Sequence, residues 1–314
     1  MAATQQKERF LDPAIVGKLQ RLDLIARLVV EGFLTGLHKS PYHGFSVEFA
    51  EHRQYMPGDE IRYLDWKVYA KSDRYYIKQF EEETNLRAHL LIDTSSSMLF
   101  SSDPERPSKL RYSINLAAAL AFLMTQQQDA VGLLTFSDKI HRYVPPRSSQ
   151  AHLRLLLKEL EIEARRSLNR KGVEDEPRAT RIGRCLEFLA DRVQRRGLVV
   201  VLTDFWDQNE NEVVRALKHF RHRQHEVVVF HVQDPAEAEF PYREEGVFVD
   251  LETGDRLNVL PWEAAKEFRQ RLDARVDYYK KSCGSNGISF ERLVTRSPYD
   301  LALLRYLEKR QRLH

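Results

Sequence analysis

One stretch of the chain decides the fold: Ala88-His-Leu-Leu-Ile-Asp93-Thr-Ser95-Ser-Ser97-Met98. It is a short apolar run that ends at an aspartate, with two serines following at alternating positions. The run has the length of a β-strand, and it is apolar enough to be buried on both faces, as central strands of parallel sheets are. We therefore expect Asp93, Ser95 and Ser97 to lie at the carboxyl end of a strand, where open α/β sheets place their ligand sites.

One carboxylate and two hydroxyls that face a single point form a hard-oxygen site, which suits Mg²⁺ better than a soft metal. A second interpretation is a serine-rich turn that caps the next helix, because Asp and Ser are preferred capping residues. The motif alone is compatible with both interpretations, so the other parts of a metal site have to come from elsewhere in the chain.

The overall composition indicates a folded protein and limits the choice of partner. The 314 residues suffice for one large domain or two small ones, and a hydrophobic fraction of 42% allows a sizeable core. Because 49 Lys and Arg nearly balance 46 Asp and Glu, the formal charge of +3 gives no reason to expect nucleic-acid binding. The two cysteines, Cys185 and Cys283, are far apart, which argues against a disulfide framework and fits a reducing compartment.

The sequence predicts no transmembrane segment. A membrane-spanning helix needs ~18 apolar residues or more, and the best candidate, residues 22–34, is interrupted by Arg27 and Glu31. Residues 1–9 are polar and do not resemble a signal peptide. We expect the chain to be cytoplasmic.

From residue 88 onward, short apolar runs alternate with helical segments. This alternation predicts a mostly parallel sheet covered by helices on both faces, which is a doubly wound α/β fold. We interpret the charged stretch 165–178 as an exposed loop. The predicted strands are residues 90–92, 130–136, 198–202 and 227–232, and the predicted helices are residues 110–126, 151–163, 181–194 and 210–222.

The regions on either side of this alternation have their own patterns. Apolar residues at helical spacing predict a helix over residues 13–37, which packs on the chain itself or docks a partner. Strands are predicted at residues 45–55 and 75–82. After the alternating region we predict a hairpin (247–251 and 256–260), a helix (261–282), a strand (288–294) and a final helix (298–310).

Two further positions are candidates for the same site. A second buried strand ends at Asp204, and Thr180 directly precedes the predicted helix that starts at Arg181. If the two strands flank the switch point of a doubly wound sheet, Asp204 lies beside Asp93. Each of these residues could simply cap the segment that follows it. Capping alone, however, gives no reason for the three loops to converge.

This pattern of hydroxyls and carboxylates resembles the metal-ion-dependent adhesion site of von Willebrand factor A-type domains, over residues 88–233. The resemblance implies Mg²⁺ or Mn²⁺, some ligands acting through water, and an open coordination position that an Asp or Glu of a protein partner fills. The chain departs from many such domains at Phe205 and Trp206, where they have glycine, so we expect an apolar rim. The implied metal-binding residues are Asp93, Ser95, Ser97, Thr180 and Asp204.

The segment upstream of residue 88 resembles the signature of the bacterial domain-of-unknown-function family fifty-eight, which carries it just before an A-type domain. The resemblance implies partnership with an AAA+ ATPase of the MoxR group, in assembly or chaperone-like maturation of a protein complex. The matching residues are Gly44-x-x-x-Glu48-Phe49 and Arg53-x-Tyr55-x-Pro57-Gly58-Asp59-x-x-Arg62-x-x-Asp65-Trp66.

The signature residues also allow a structural role. Arg53, Asp59, Arg62 and Asp65 alternate in sign and could form a partly buried network. Trp66 could pack on the sheet, or accept Arg62 in a cation–π contact at i,i+4 spacing. A partner-binding surface is the alternative.

These observations favour a metal-ion-dependent protein-binding module with no catalytic activity. The alternative is a Mg²⁺-dependent phosphohydrolase, since aspartates at strand ends also suit phosphoryl chemistry. Against it, the chain lacks a glycine-rich phosphate loop, a dinucleotide fingerprint and a nucleophile elbow.

We expect residues 1–85 to form an N-terminal helix and β extension, residues 86–235 a von Willebrand factor A-like domain, and residues 236–314 additions that complete the same α/β unit.

Overall fold

The structure is a computed structural model that describes residues 13, 21–37, 52–54, 69, 75–78, 86–170, 181–193, 195–207 and 209–311. Within these ranges the helices are α1 (Leu22–Leu37), α2 (Lys109–Gln126), α3 (Gln150–Arg170), α4 (Ile182–Arg192), α5 (Glu210–His222), α6 (Pro235–Glu239), α7 (Pro261–Gly284) and α8 (Asp300–Gln311). The strands are β1 (His52–Gln54), β2 (Tyr76–Lys78), β3 (Arg87–Asp93), β4 (Ala130–Phe136), β5 (Ile140–Arg147), β6 (Leu198–Thr203), β7 (Glu226–Gln233), β8 (Gly246–Val249), β9 (Arg256–Val259) and β10 (Ser289–Val294).

The central sheet of the described part has the strand order β10-β7-β6-β3-β4-β5. Neighbouring strands are parallel except β4 and β5, which are antiparallel. Numbered along the chain and read from the β5 edge, this order is 3-2-1-4-5-6, which is the order of doubly wound α/β folds. The predicted fold class is therefore confirmed. The strand order reverses between β3 and β6.

The central strands are buried on both faces because helices cover both sides of the sheet. Along β3, Leu90 and Ile92 belong to one apolar layer and Leu91 to the other. Helices α1, α2, α3 and α8 complete the first layer, and α4, α5 and α7 complete the second. This two-sided burial explains why β3 and β6 are continuous apolar runs in the sequence.

Strand β5 has no counterpart among the sequence predictions. Its side chains are mostly exposed or half-buried, and it contains Pro145 and Pro146, which sheets tolerate at an edge. Its pairing with β4 is irregular around Gly132. Glycine is required there, because a Cβ would lie 2.9 Å from the carbonyl oxygen of Val144.

The predicted exposed loop at residues 165–178 is wrong over residues 165–170, because α3 continues to Arg170. Ion pairs of Arg165 with Glu161 and of Arg166 with Glu163 support the extra turn at i,i+4 and i,i+3 spacing. Residues 171–180 lie outside the described part of the chain.

Helix α1 packs on the chain itself. Its residues Leu22, Ile25, Val29 and Phe33 are buried in the same apolar layer as α2. The predicted strands at 45–55 and 75–82 are described only at β1 and β2, which pair antiparallel. No helix among the described residues is both long and apolar enough to cross a membrane.

Burial of His89 in β3 makes the stability of the fold depend on pH. His89 is 4% exposed, and its Nδ1 atom has no hydrogen-bond partner within the described part of the chain. Burial, reinforced by the charges of His225 and Arg87, lowers the pKa of His89 to about 4. Between that value and the ordinary pKa of about 6.5, the unfolded chain binds a proton that the folded chain does not, so stability falls as the pH falls.

Between pH 7 and pH 4 the free energy of unfolding of the unsubstituted chain should fall. We expect it to fall by up to about 3 kcal/mol less in the His89→Leu variant. Urea unfolding at a series of pH values measures this difference. His222→Leu, at an exposed histidine of α5, is the control and should keep the original pH dependence. Equal pH dependence of the His89→Leu variant and the unsubstituted chain would contradict the prediction.

Candidate functional site

The candidate site lies where β3 and β6 end side by side. The two strands are parallel neighbours, with Ile92 opposite Leu202. Asp93 is the last residue of β3, and Asp204 directly follows the last residue of β6. Because the strand order reverses between these strands, their carboxyl ends flank the crevice in which doubly wound folds bind ligands.

The Asp93 carboxylate is fully buried and held from both strand ends. Its Oδ1 accepts a hydrogen bond from the Ser95 backbone N–H (2.9 Å), and its Oδ2 accepts one from the Thr203 hydroxyl (2.6 Å). Burial, together with the negative charge of Asp204, raises the pKa of Asp93 to about 7. The carboxylate is therefore fixed in orientation but lacks a cation of its own among these contacts.

The hydroxyls of Ser95 and Ser97 lie side by side. Their Oγ atoms are 3.1 Å apart, with Ser95 buried and Ser97 half-buried at the start of a 3₁₀ helix (Ser97–Leu99). Two neighbouring ligands of an octahedral Mg²⁺, each at 2.0–2.1 Å, would be about 2.9 Å apart. The spacing of the two hydroxyls therefore suits adjacent positions around such an ion.

The Asp204 carboxylate is neutralised by a buried lysine that the sequence analysis missed. The Lys109 Nζ atom donates hydrogen bonds to Asp204 Oδ2 (2.7 Å) and to Glu237 Oε1 (2.5 Å). Burial alone would lower the pKa of Lys109, but the charges of Asp204 and Glu237 outweigh it and hold the pKa above its usual value. No local signal in the sequence singles it out, because Lys109 begins a helix that also carries Arg111 in its first turn.

Thr180, the remaining predicted ligand, lies outside the described residues. The chain resumes at Arg181, whose backbone N–H donates to the carbonyl oxygen of Ser137 after β4 (3.1 Å). The next residue, Ile182, donates its backbone N–H to the carboxylate of Asp207 (2.7 Å). These two bonds attach the start of α4 to the same edge of the sheet as Asp93.

The upstream signature is described at one position only. Arg53 lies in β1, opposite Ile77 of β2. The other signature residues, which lie outside the described part, are Gly44, Glu48, Phe49, Tyr55, Pro57, Gly58, Asp59, Arg62, Asp65 and Trp66.

Of the two residues expected at the rim of the site, Phe205 is buried in the core and Trp206 is half-buried. Phe205 is fully buried, and its ring stacks on Tyr279 at a centroid distance of 4.3 Å, so the expectation that it forms the rim is corrected. The reason is local, because Phe205 has a positive φ of 57°, a conformation uncommon outside glycine. Trp206 is half-buried and lines a cavity, with the Arg275 guanidinium 4.8 Å from its ring.

The oxygen atoms of the described carboxylates and hydroxyls suit a hard divalent cation. The carboxylates of Asp93, Asp204 and Glu237 outnumber the one ammonium group that contacts them, that of Lys109. Among the described residues no cluster of three or more His, Cys, Asp or Glu side chains could hold a metal ion. Hydroxyl oxygens with an incomplete set of carboxylates suit Mg²⁺, which usually keeps several waters and is seldom bound in an all-protein cage.

We expect Thr203→Val to lower the free energy of unfolding by about 1–3 kcal/mol, because it removes the hydroxyl that donates to the buried Asp93 carboxylate. Thr135→Val on β4, the other neighbour of β3, is the matched control, because that buried hydroxyl has no hydrogen-bond partner among the described residues. Urea unfolding of both variants measures the difference. An equal loss in the two variants would contradict the assigned role of Thr203.

We expect Lys109→Met to lower the free energy of unfolding by about 3–5 kcal/mol, because it leaves Asp204 and Glu237 buried without a cation. The control is Lys139→Met, at an exposed lysine after β4. Thermal and urea unfolding report the effect. A loss of less than about 1 kcal/mol, typical of a surface pair, would show that Lys109 does not neutralise these carboxylates.

Comparison with known proteins places the chain in a family. Residues 51–281 match the family described as "Protein of unknown function DUF58". An uncharacterized protein of Mycobacterium tuberculosis is 27% identical over 244 residues, which cover 77% of this chain and 73% of that protein. BatB from Bacteroides thetaiotaomicron, a conserved hypothetical protein of known structure, is 16% identical over 72% of this chain and 98% of its own, with a TM-score of 0.45. The SpRpn10 VWA domain is 10% identical over 71% of this chain and 95% of its own, with a TM-score of 0.33. The chain belongs to the DUF58 family.

Proposed function

We propose that the chain is a metal-ion-dependent protein-binding module with no catalytic activity of its own. The observation that carries the proposal is the pair of adjacent hydroxyls, Ser95 and Ser97, directly after the buried Asp93 carboxylate, whose pKa the nearby charge of Asp204 helps to raise. A bound Mg²⁺ or Mn²⁺ would supply an open coordination position for a carboxylate of the partner.

In this proposal the side chains have distinct tasks. The hydroxyls of Ser95 and Ser97 and the carboxylates of Asp93 and Asp204 would hold the ion, some of them through water, and the resemblance to adhesion sites adds Thr180. Thr203 and Lys109 are the groups that hold the two carboxylates in place, and such outer partners set the orientation of a metal site.

Phosphate hydrolysis finds less support in the same contacts. Besides the Mg²⁺ ion, a phosphohydrolase uses cationic side chains that are free to bind the phosphate oxygens. Lys109 is the cation that contacts the described site, but it is fully buried and already bonded to Asp204 and Glu237. The lysine therefore serves the protein's own carboxylates rather than an incoming anion.

We further propose that this binding serves assembly or chaperone-like maturation of a protein complex, together with a MoxR-type AAA+ ATPase. The support is membership of the DUF58 family and the resemblance of the upstream signature. We place the activity in the cytoplasm, a proposal supported by the two cysteines, Cys185 and Cys283, which are free and buried.

Metal binding is testable with Mn²⁺ alone, by calorimetry or electron paramagnetic resonance on the full chain. We expect Ser97→Ala to weaken Mn²⁺ binding by about tenfold or more, since changes even to outer partners of metal sites cost that much. Ser96→Ala is the matched control, because this neighbouring serine makes no capping hydrogen bond with its side chain. Absence of Mn²⁺ binding, or equal losses in both variants, would overturn the metal site.

Partner binding is testable by pull-down of a purified MoxR-type AAA+ ATPase on the full chain, in Mg²⁺ and in EDTA. We expect retention only in Mg²⁺ and its loss in Asp93→Ala, with circular dichroism confirming that the variant is folded. Hydrolysis of para-nitrophenyl phosphate that requires Mg²⁺ and disappears in Asp93→Ala would show that the chain is an enzyme instead.

A further inference from the structure

A cavity of about 590 Å³ opens beside Ser97 and Trp206. Its wall is built by α6, the β8–β9 hairpin and α7, all of which follow the last strand of the predicted A-like domain. This volume lies within the range of sites that bind small molecules or side chains. We call it the aromatic pocket. Its apolar lining includes Phe240, Tyr242, Phe248, Leu257 and Phe268.

The aromatic lining forms one connected cluster. The Phe240 ring contacts Phe268, Tyr242 and Phe248, with centroid distances of 5.1, 5.3 and 6.0 Å respectively. Phe240 itself is buried, whereas Tyr242 is 37% exposed and Leu257 is 67% exposed. The pocket therefore has a fixed floor and an apolar opening that the described chain leaves in contact with solvent.

The opening is also acidic. Arg275 is the one lysine or arginine in the described lining, and its guanidinium already pairs with Glu210 (2.8 Å) and covers the Trp206 ring. A ligand with positive charge is therefore favoured over an anion. Among the carboxylates of the lining, Glu237 pairs with Lys109 and Asp207 is buried, whereas Asp250, Glu252 and Asp255 lie in the turn between β8 and β9, at the opening.

We propose that the aromatic pocket binds a segment of a protein partner in which a large apolar side chain lies between lysine or arginine residues. The apolar side chain enters the floor, and its basic neighbours meet the turn between β8 and β9, where Asp250, Glu252 and Asp255 lie. The choice of a protein as ligand rests on the proposed function. Ser97 belongs to both sites, so a partner that offers a carboxylate to the metal extends directly into the pocket.

The test uses the full chain in EDTA, so that metal binding plays no part. The probe is a fluorescent peptide with one tryptophan between two lysines, amidated and free of carboxylates. Fluorescence anisotropy measures its affinity. We expect saturable binding, and affinity at least about tenfold weaker both for a peptide with alanine in place of tryptophan and for one with glutamates in place of the lysines. Each tenfold step corresponds to about 1.4 kcal/mol.

A pair of variants on the β8–β9 hairpin localises the binding. Leu257 is paired with Phe248 and lines the pocket, whereas Val247 is 58% exposed and is paired with Asn258, on the opposite face of the two strands. We expect Leu257→Asn to weaken binding of the tryptophan–lysine peptide about tenfold or more, and Val247→Asn to leave it within about twofold.

Several outcomes would overturn the proposal. Absence of saturable binding would mean that the pocket takes no such segment, as when undescribed residues of the chain itself cover it. Equal binding of the lysine and glutamate peptides, or equal effects of the two variants, would exclude the assigned chemistry. A dimer of the chain that Leu257→Asn dissociates would make a second copy the occupant. Failure of Mn²⁺ binding leaves these peptide results unaffected, so the two proposals fail separately.

Discussion

The candidate site depends on keeping two carboxylates of like charge close together and out of water. Burial and mutual repulsion both disfavour the ionised forms, so each carboxylate needs fixed partners. Asp93 finds them in the Ser95 amide and the Thr203 hydroxyl, and Asp204 finds them in Lys109. The fold makes this arrangement possible, because the two aspartates leave neighbouring strands at the point where the strand order reverses.

Lys109 joins this site to the C-terminal part of the chain. Its second partner, Glu237, also accepts a hydrogen bond from the Asp234 backbone N–H in the capping box of α6. The same Glu237 lines the aromatic pocket. A continuous series of hydrogen bonds therefore runs from Asp204 through Lys109 to the pocket wall, and the strand ends and the added elements share one electrostatic network.

Much of the fold could be predicted because its signals are local. Buried parallel strands such as β4 and β6 are continuous apolar runs, and the helices between them have clear periodicity. Asp93, Ser95, Ser97 and Asp204 could be placed together because each follows such a run. The predicted domain boundaries stay predictions, as does the role of Thr180.

Other features depend on contacts that no local pattern reveals. Lys109 meets Asp204 across 95 positions of sequence, and a lysine at the start of a helix is ordinarily a surface residue. Phe205 follows Asp204 as a rim residue would, but its left-handed backbone turns the ring inward onto Tyr279. Strand β5 is held by backbone pairing and by the space that Gly132 leaves, neither of which requires apolar side chains.

The same strand has a consequence for how molecules of this protein meet one another. An outermost strand presents backbone donors that invite pairing with a strand of another molecule, and so promote aggregation. Pro145 and Pro146 have no amide hydrogen, and the irregular pairing around Gly132 interrupts the ladder behind them. At this edge of the sheet, the two prolines and the irregular pairing therefore disfavour β-sheet formation between molecules.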